Sequence, residues 1–180
     1  DIAKSVFQVH GIDAAGNVLI RRQLKRRYVL AFFQKLSPCL VGIEACATSH
    51  YWSRQLKALG HTVRLMPPAY VKPYVKRQKN DAADAEAICE AVTRANMRFV
   101  ETKTPEQQSG LVLHRTRHLF IRQQTAVINA IRSHLGEFGI VAPVGRNGVE
   151  DLLDVVADPN DKRVPEIARA CLAALGAQLH

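Results

Sequence analysis

Two short apolar segments separated by an amphipathic stretch constrain the fold of this chain most strongly. The segment CLVGIEA (39–45) is almost continuously apolar, and TVRLM (62–66) is a second run of β-forming residues. Apolar runs of this length are typical of strands that are buried on both faces of a sheet. The intervening TSHYWSRQLKALGH has apolar residues at helical spacing and a glycine near its end. This β-α-β order predicts an α/β sheet with helices packed against it.

The regions on either side predict a hairpin before this unit and a long helix after it. SVFQVHGI and VLIRRQL are rich in β-forming residues and surround the turn-forming pentapeptide DAAGN. Residues 106–138 contain no proline, and Leu113, Phe120 and Val127 recur at intervals of seven. This heptad spacing predicts a long helix with a seam like that of a coiled coil.

Charge and cysteine usage narrow the class of protein. The sequence has 25 Lys and Arg residues against 16 Asp and Glu residues, a net charge of +9, which favours a polyanionic partner, nucleic acid ahead of an acidic membrane surface. No apolar run approaches the roughly 20 residues of a membrane span, and no signal-peptide pattern opens the chain. The four cysteines show no C-x-x-C spacing, which favours reduced thiols that act as small packing residues. We therefore expect a cytoplasmic protein with no membrane partner.

Four acidic residues each allow two interpretations. Asp81 and Asp84 lie in QKNDAADAEA, where acids near a helix start can accept hydrogen bonds from free backbone N–H groups. Residues i and i+3 also share a helix face, so the same two carboxylates can face one hard cation. Glu44 ends a predicted buried strand, where an acid is either a surface charge or a site residue. Asp1 stands at the end of a strand if the residues before it form one, and is otherwise an ordinary terminal residue.

A basic segment adjoins the acidic pair. YVKPYVKRQKN contains no acid, and phosphodiester chemistry needs cations that attract the substrate beside carboxylates that hold divalent ions. The alternative is an ordinary solvated face, and the same choice applies to the basic run RRQLKRR at 21–27. The predicted nucleic-acid contacts are Lys72, Lys76, Arg77 and Lys79.

Longer segments of the sequence resemble the DEDD transposases of the insertion-sequence 110 and 1111 group. The resemblance runs through DIAKS, GIEACATSHYW, LKALGHTVRLMPPAYVKPYVKRQKNDAADAEAI, RFVETKTPEQQ and NAIRSHLGEFGI. It implies an RNase H-like fold similar to that of the RuvC resolvases, a mixed sheet with flanking helices. It also implies a helical coiled-coil region that is used in assembly. The expected boundaries are residues 1–103 for the first part and 104–180 for the second.

The same resemblance implies a site and its chemistry. In this family the first Asp, the Glu and the D-x-x-D pair form a Mg²⁺-binding acidic tetrad, which corresponds here to Asp1, Glu44, Asp81 and Asp84. These residues would hold two Mg²⁺ ions, with Mn²⁺ as a substitute, for cleavage and rejoining of DNA strands. The implied partners are DNA, a guide RNA encoded by the element, and further copies of the chain joined through the long helix.

Both ends of the sequence indicate a fragment. It begins with Asp1 rather than Met, and ACLAALGAQLH stops inside a helical pattern. Relative to the family it lacks most of the first strand and the later domain that carries a catalytic serine, so we do not expect full activity from the fragment alone. Two alternatives remain open: a nuclease like the Holliday-junction resolvases, which hydrolyses without rejoining, and a non-catalytic nucleic-acid-binding module that dimerises.

Overall fold

The chain has a mixed α/β architecture, as the sequence predicts. The computed structural model describes residues 1–76 and 80–179, apart from the side chain of Arg146. The chain divides into two compact units, residues 1–108 and residues 109–180. Strands and helices form the first unit, and helices form the described part of the second. None of the described helices is long and apolar enough to cross a membrane.

An antiparallel hairpin opens the first unit. Strand β1 (Val6–Ile12) pairs with β2 (Val18–Lys25), and the register places Phe7 opposite Leu24. The turn between them is held by the side chain of Asp13, whose Oδ1 accepts hydrogen bonds from the backbone N–H groups of Ala15 (2.9 Å) and Asn17 (2.8 Å). Asp residues stabilise turns in this way, so the hairpin predicted around DAAGN is confirmed.

The predicted β-α-β unit follows. Strand β3 (Leu40–Glu44) leads into helix α2 (Ser49–Ala58), which returns the chain to β4 (Thr62–Met66). The strands β3 and β4 are parallel, and Glu44 pairs with Met66 at their carboxyl ends. Within the described residues these strands form one two-stranded sheet, and the hairpin forms another.

Aromatic and aliphatic side chains from both sheets share one core. The rings of Phe7 and Trp52 meet edge to face with centroids 4.8 Å apart, an arrangement that adds to the free energy of burial. Helix α1 (Val29–Phe33) contributes both of its terminal residues to this core. The buried residues of the cluster are Phe7, Leu24, Val29, Phe33, Ile43, Trp52, Leu56, Val63 and Leu65.

Helix α4 (Asp81–Ala91) follows the short helix α3 (Pro68–Val71) and packs against β1 and β3. Val92 at its carboxyl end lies against Gly42 of β3, where an added Cβ atom would be only 2.8 Å from the Cβ atom of Val92. This close approach favours glycine at position 42, because an added side chain would push α4 away from the sheet.

Three helices belong largely to the second unit. The helix α5 (Pro105–Gly136) confirms the predicted long helix, and α6 (Arg146–Ala157) and α7 (Glu166–Gly176) follow. The guanidinium group of Arg169 joins the last two, since it donates to the backbone carbonyls of Val155, Val156 and Asp161. The buried core of this unit comprises Ile131, Leu135, Ile140, Leu152, Val156, Val164 and Leu172.

The expected packing role of the cysteines is wrong for three of the four. The residues Cys39, Cys46 and Cys171 are exposed, and only Cys89 is half-buried; all four are free thiols. Their positions explain the error, because the first two lie at the two ends of β3, just outside the strand.

Candidate functional site

Asp1 continues the first sheet on the side of β1 that faces away from β2. Its amino group donates to the carbonyl of Gln8 (2.8 Å), and the N–H group of Gln8 donates to the carbonyl of Asp1 (3.1 Å). Ile2 forms the next antiparallel bridge, with Phe7. Two residues that exchange both backbone hydrogen bonds lie directly opposite each other. Asp1 is therefore in register with Gln8, and its half-buried side chain shares a sheet face with that residue.

Glu44 lies at the carboxyl end of β3, as the sequence predicts. The backbone ladder ends one residue later, where the N–H group of Ala45 donates to the carbonyl of Met66 (2.8 Å). Ser49 then organises the tight connection to α2, because its hydroxyl group bonds both backbone groups of Cys46. The Glu44 side chain is half-buried at the sheet edge where both parallel strands end.

The residue that caps α4 is Asn80, and neither Asp81 nor Asp84 has that role. Its Oδ1 atom accepts a hydrogen bond from the N–H group of Ala83 (2.9 Å), and its carbonyl accepts one from the N–H group of Asp84 (3.0 Å). Within residues 1–76 and 80–179, no hydrogen bond or ion pair engages the carboxylate of Asp81 or Asp84. The cap and the carboxylate pair are thus separate features, and the two interpretations of this segment do not compete.

The terminal amino group of Asp1 lies within electrostatic reach of the other three predicted acidic residues. Burial lowers the pKa of the terminal amino group of Asp1 to about 6, and the negative charges of Glu44, Asp84 and Asp81 act in the opposite direction. All three carboxylates are therefore close enough to the terminal amino group of Asp1 to influence its pKa. Asp84 is half-buried like Asp1 and Glu44, whereas Asp81 is exposed.

The side chains of this region do not form a closed set of metal ligands. Across the described part of the chain, no group of three or more His, Cys, Asp or Glu residues is arranged so that it could hold a metal ion. The backbone brings one strand end and one helix turn within electrostatic reach of the chain start. The ligand role of the tetrad stays a prediction.

The predicted basic contacts differ in what surrounds them. Lys72 is exposed in a short 3₁₀ turn, whereas the Nζ atom of Lys76 lies 2.9 Å from Glu86 and 3.7 Å from Glu90. The hydrogen bond to Glu86, together with the charges of both acids, raises the pKa of Lys76. Arg77 and Lys79 lie outside the described residues. Of the predicted set, Lys72 is thus the described residue most available to a phosphate.

A cavity of about 790 Å³ separates the two sheets of the first unit. Residues of β1 line it together with residues of β3 and α4, and Asp1 contributes to its rim. Two buried polar atoms of lining residues, Nε1 of Trp52 and Nδ1 of His10, have no hydrogen-bond partner among the residues that the structure describes. Sequence patterns gave no sign of this cavity, because it depends on how two separate sheets are spaced.

Comparison with known proteins shows similarity to transposases. The family model for DEDD proteins of the insertion-sequence 110 group, described as "Transposase", matches residues 1–140. A "Probable family 20 transposase" of Pseudomonas aeruginosa is 54% identical over 157 residues, which cover 87% of this chain and 46% of the relative.

Two further relatives show similar coverage. A "Putative transposase y4pF/y4sB" of Sinorhizobium fredii is 48% identical over 177 residues, or 98% of this chain and 45% of the relative. A "Transposase for insertion sequence element IS1328" of Yersinia enterocolitica is 38% identical over 165 residues, or 92% of this chain and 48% of the relative. The chain therefore spans slightly less than half the length of these relatives.

Proposed function

Because the chain belongs to the DEDD transposase family of the insertion-sequence 110 group, we propose that it carries the acidic centre for Mg²⁺-dependent cleavage and rejoining of DNA strands. One observation supports this most directly. Asp1, Glu44, Asp81 and Asp84 come from three separate parts of the chain, yet the last three all lie within electrostatic reach of the terminal amino group of Asp1. Since Asn80 satisfies the helix start, the pair on α4 is free of a capping role.

The carboxylate oxygens of the four acidic residues are suitable ligands for Mg²⁺ and Mn²⁺. Carboxylate oxygens are the ligands that Mg²⁺ prefers, and Mn²⁺ accepts the same set. Two ions held there would stabilise charge on the attacking and leaving oxygens of a phosphodiester. The positive end of the α4 dipole favours carboxylates at Asp81 and Asp84, and the backbone pairing of Asp1 with Gln8 fixes its position beside them.

We further propose that an extended segment completes the sheet and makes the fold RNase H-like. It would lie in the cavity between β1 and β3, continue the antiparallel pairing that Asp1 and Ile2 already make with β1, and run parallel to β3. Buried polar groups normally find a hydrogen-bond partner, and a backbone carbonyl in this segment would give one to the indole N–H group of Trp52. The predicted RuvC-like domain then has a single continuous sheet.

The long helix supports assembly of several copies. Leu113 and Phe120 expose 69% and 63% of their surfaces, and Val112 and Leu119 beside them are also exposed. Residues seven apart differ by only about 20° around a helix, so these side chains form one apolar stripe. Arg115 and Arg122 lie on the far side of the helix from Leu113, whereas Arg117, four residues after Leu113, borders the stripe. We propose that the stripe pairs with the same stripe of a second copy as a coiled coil.

The net positive charge of the chain supports nucleic-acid binding as part of this proposal. The net charge of +9 and the exposed Lys72 favour a phosphate backbone near the acidic residues, whereas Lys76 would have to exchange Glu86 for a phosphate. Arg77 and Lys79 remain in the proposed set. The guide RNA implied by the family resemblance stays a prediction as a second partner.

A second candidate function is a nucleic-acid-binding module without catalysis. The observation that favours it is the separation of the carboxylates, since no described group of three is arranged to hold a metal ion. A resolvase-like nuclease shares the acidic centre with the transposase, and only its products differ.

The deciding experiment compares Asp84→Asn with Asp151→Asn in the longest natural form of the protein. Asp151 is an exposed acid on α6, so its substitution matches the charge change away from the site. With Mg²⁺ and DNA carrying the element ends, we expect Asp84→Asn to abolish cleaved and joined products and to keep DNA binding, and Asp151→Asn to behave as the unaltered protein. Undiminished joining by Asp84→Asn refutes the acidic centre. Cleaved products without joined ones identify a nuclease instead.

A further inference from the structure

Strand β2 carries an unusually dense run of positive charge. The sequence RRQLKRR at 21–27 spans the second half of the strand and the turn that follows, and it contains five cations and no acid. Within the described residues β2 pairs with β1 and is the edge of its sheet. Its exposed side chains are therefore accessible to solvent from the open edge of the sheet as well as from its face.

The strand register places these cations on two different faces of the sheet formed by β1 and β2. Phe7 and Leu24 are paired and buried in the core, so Gln8, Gln23 and their neighbours at alternate positions lie on the opposite face. Arg22 belongs to the core side, and the guanidinium group of Arg26 stacks over the rings of Phe7 and Trp52 at 5.7 and 5.1 Å. The opposite face carries Arg21, Gln23 and Lys25, all exposed, and we name these three residues the basic ridge.

The basic ridge shares its sheet face with Asp1. Asp1 lies opposite Gln8, and Gln8 lies opposite Gln23, so the three residues form one row across the sheet. Neighbouring strands are about 4.8 Å apart, which places the backbone of Gln23 roughly 10 Å from that of Asp1. Arg21 and Lys25 flank this row on the same strand, each about 7 Å from Gln23.

The charged groups around the basic ridge do not cancel its net positive charge. Glu86 on α4 is the acid that acts on Arg21, and it also acts on His10, the partner of Arg21 across the strands. That carboxylate already binds Lys76 at 2.9 Å. Arg21 therefore faces an acid that Lys76 already neutralises in part, and the positive charge of the ridge lies about two strand spacings from Asp1.

We propose that the basic ridge binds the phosphodiester backbone of the DNA strand that extends from the acidic centre. The strand would cross the sheet along the row from Asp1 to Gln23, with Arg21 and Lys25 contacting phosphates on either side and the two glutamines donating hydrogen bonds. This assignment rests on the proposed function, because the acidic centre defines where the strand begins. Charge complementarity and the shared face carry it, and neither depends on the residues at 77–79.

Arg21→Gln combined with Lys25→Gln tests the ridge by DNA-binding titrations over a range of salt concentrations. Each lost phosphate contact lowers the slope of log K against log salt by about 0.9, so the double variant should lose about 1.8. That slope difference corresponds to about 60-fold weaker binding at 0.1 M salt if the proteins bind equally at 1 M. Arg21→Lys with Lys25→Arg keeps both charges and should bind as the unaltered protein.

A charge-matched control separates the ridge from net charge. Lys57→Gln with Arg98→Gln removes two exposed cations of the same unit outside β2, and we expect a change in slope below about 0.5. Equal losses in the control and the ridge variant would overturn the proposal, as would a ridge variant that loses affinity for RNA and keeps it for DNA.

Neutral methylphosphonates, placed one at a time beside the cleavage position, locate the contact. Substitution at the phosphates that the ridge binds should weaken binding by the unaltered protein and leave the ridge variant unaffected. The Asp84→Asn assay keeps the two proposals distinguishable. If Asp84→Asn loses cleavage but the ridge variant binds DNA fully, the ridge proposal alone is refuted. If Asp84→Asn cleaves fully but the ridge variant binds DNA weakly, the acidic centre alone is refuted.

Discussion

Substitution of Gly42 by alanine tests how α4 is positioned over the sheet. The added Cβ atom would lie 2.8 Å from the Cβ atom of Val92 and 3.1 Å from the Cε atom of Met66. The methionine end is flexible and can move, but the valine Cβ atom moves only with the helix. Overpacking of this kind costs about 1–3 kcal/mol. Alanine regains about 0.5–1 kcal/mol of the conformational entropy that glycine loses in a strand, so the net loss should be about 0.5–2 kcal/mol.

Urea and thermal unfolding measure this loss. For a unit of about 100 residues, each kcal/mol shifts Tm by about 4–8 °C, so Gly42→Ala should lower Tm on the order of 2–16 °C. Gly110→Ala is the matched control, because its Cβ atom meets nothing within 4 Å and the site is in the helix α5. That substitution should stabilise the protein by up to about 1 kcal/mol.

A double-mutant cycle identifies the contact responsible. Val92→Gly removes the Cβ atom that the alanine meets, so the pair Gly42→Ala and Val92→Gly should be more stable than the sum of the single effects by about 1 kcal/mol or more. Strand cleavage by Gly42→Ala should also fall, since α4 carries Asp81 and Asp84. A Gly42→Ala protein as stable as the unaltered one would refute the reasoning.

Three further predictions concern other parts of the chain. Asn80→Ala should lower the free energy of unfolding in urea by about 1 kcal/mol, because it removes the cap of α4, whereas Asp81→Asn should lower it much less. Equal losses for the two variants would contradict the assignment of the cap to Asn80. Leu113→Asp with Phe120→Asp should reduce the mass measured by light scattering, and an unchanged oligomer would exclude the stripe as the interface. Hydrogen bonds from Arg163 lower the pKa of Asp161 to about 2, so the stabilisation by this pair is present above the unfolded pKa near 3.8 and is lost as the pH falls towards 2. In an NMR titration, Arg163→Gln should return the pKa of Asp161 towards 3.8. An unchanged pKa would refute Arg163 as the cause.

Local patterns were sufficient to predict the secondary structure. The apolar runs that became β3 and β4, the turn held by Asp13 and the long helix all depend on periodicity and turn chemistry within short windows. The wrong role for Cys39 and Cys46 has the same origin. A residue just outside a strand looks like part of the apolar run in sequence, but it reaches solvent in three dimensions.

The candidate site could be predicted only in part. Residue order and the family resemblance predicted the four acidic residues, and three of them lie within electrostatic reach of the terminal amino group of the fourth, Asp1. Their role as metal ligands stays a prediction. Sequence could not show that Lys76 binds Glu86, because the two lie ten residues apart on different elements. The alignment of Asp1 with Gln23 likewise depends on two successive registers across a sheet, which no local pattern specifies.

The wall of the cavity also supplies an optical reporter. Trp52 is the one tryptophan of the sequence, so the intrinsic fluorescence of the protein at indole wavelengths comes from a single buried site. Its Nε1 atom has no hydrogen-bond partner in the described part of the chain, and the residue lines the space between the sheets. A segment that enters this space and accepts that N–H group should shift the emission maximum and slow collisional quenching by acrylamide. Completion of the sheet can thus be followed in solution, in real time and without a label, by the light that one side chain emits.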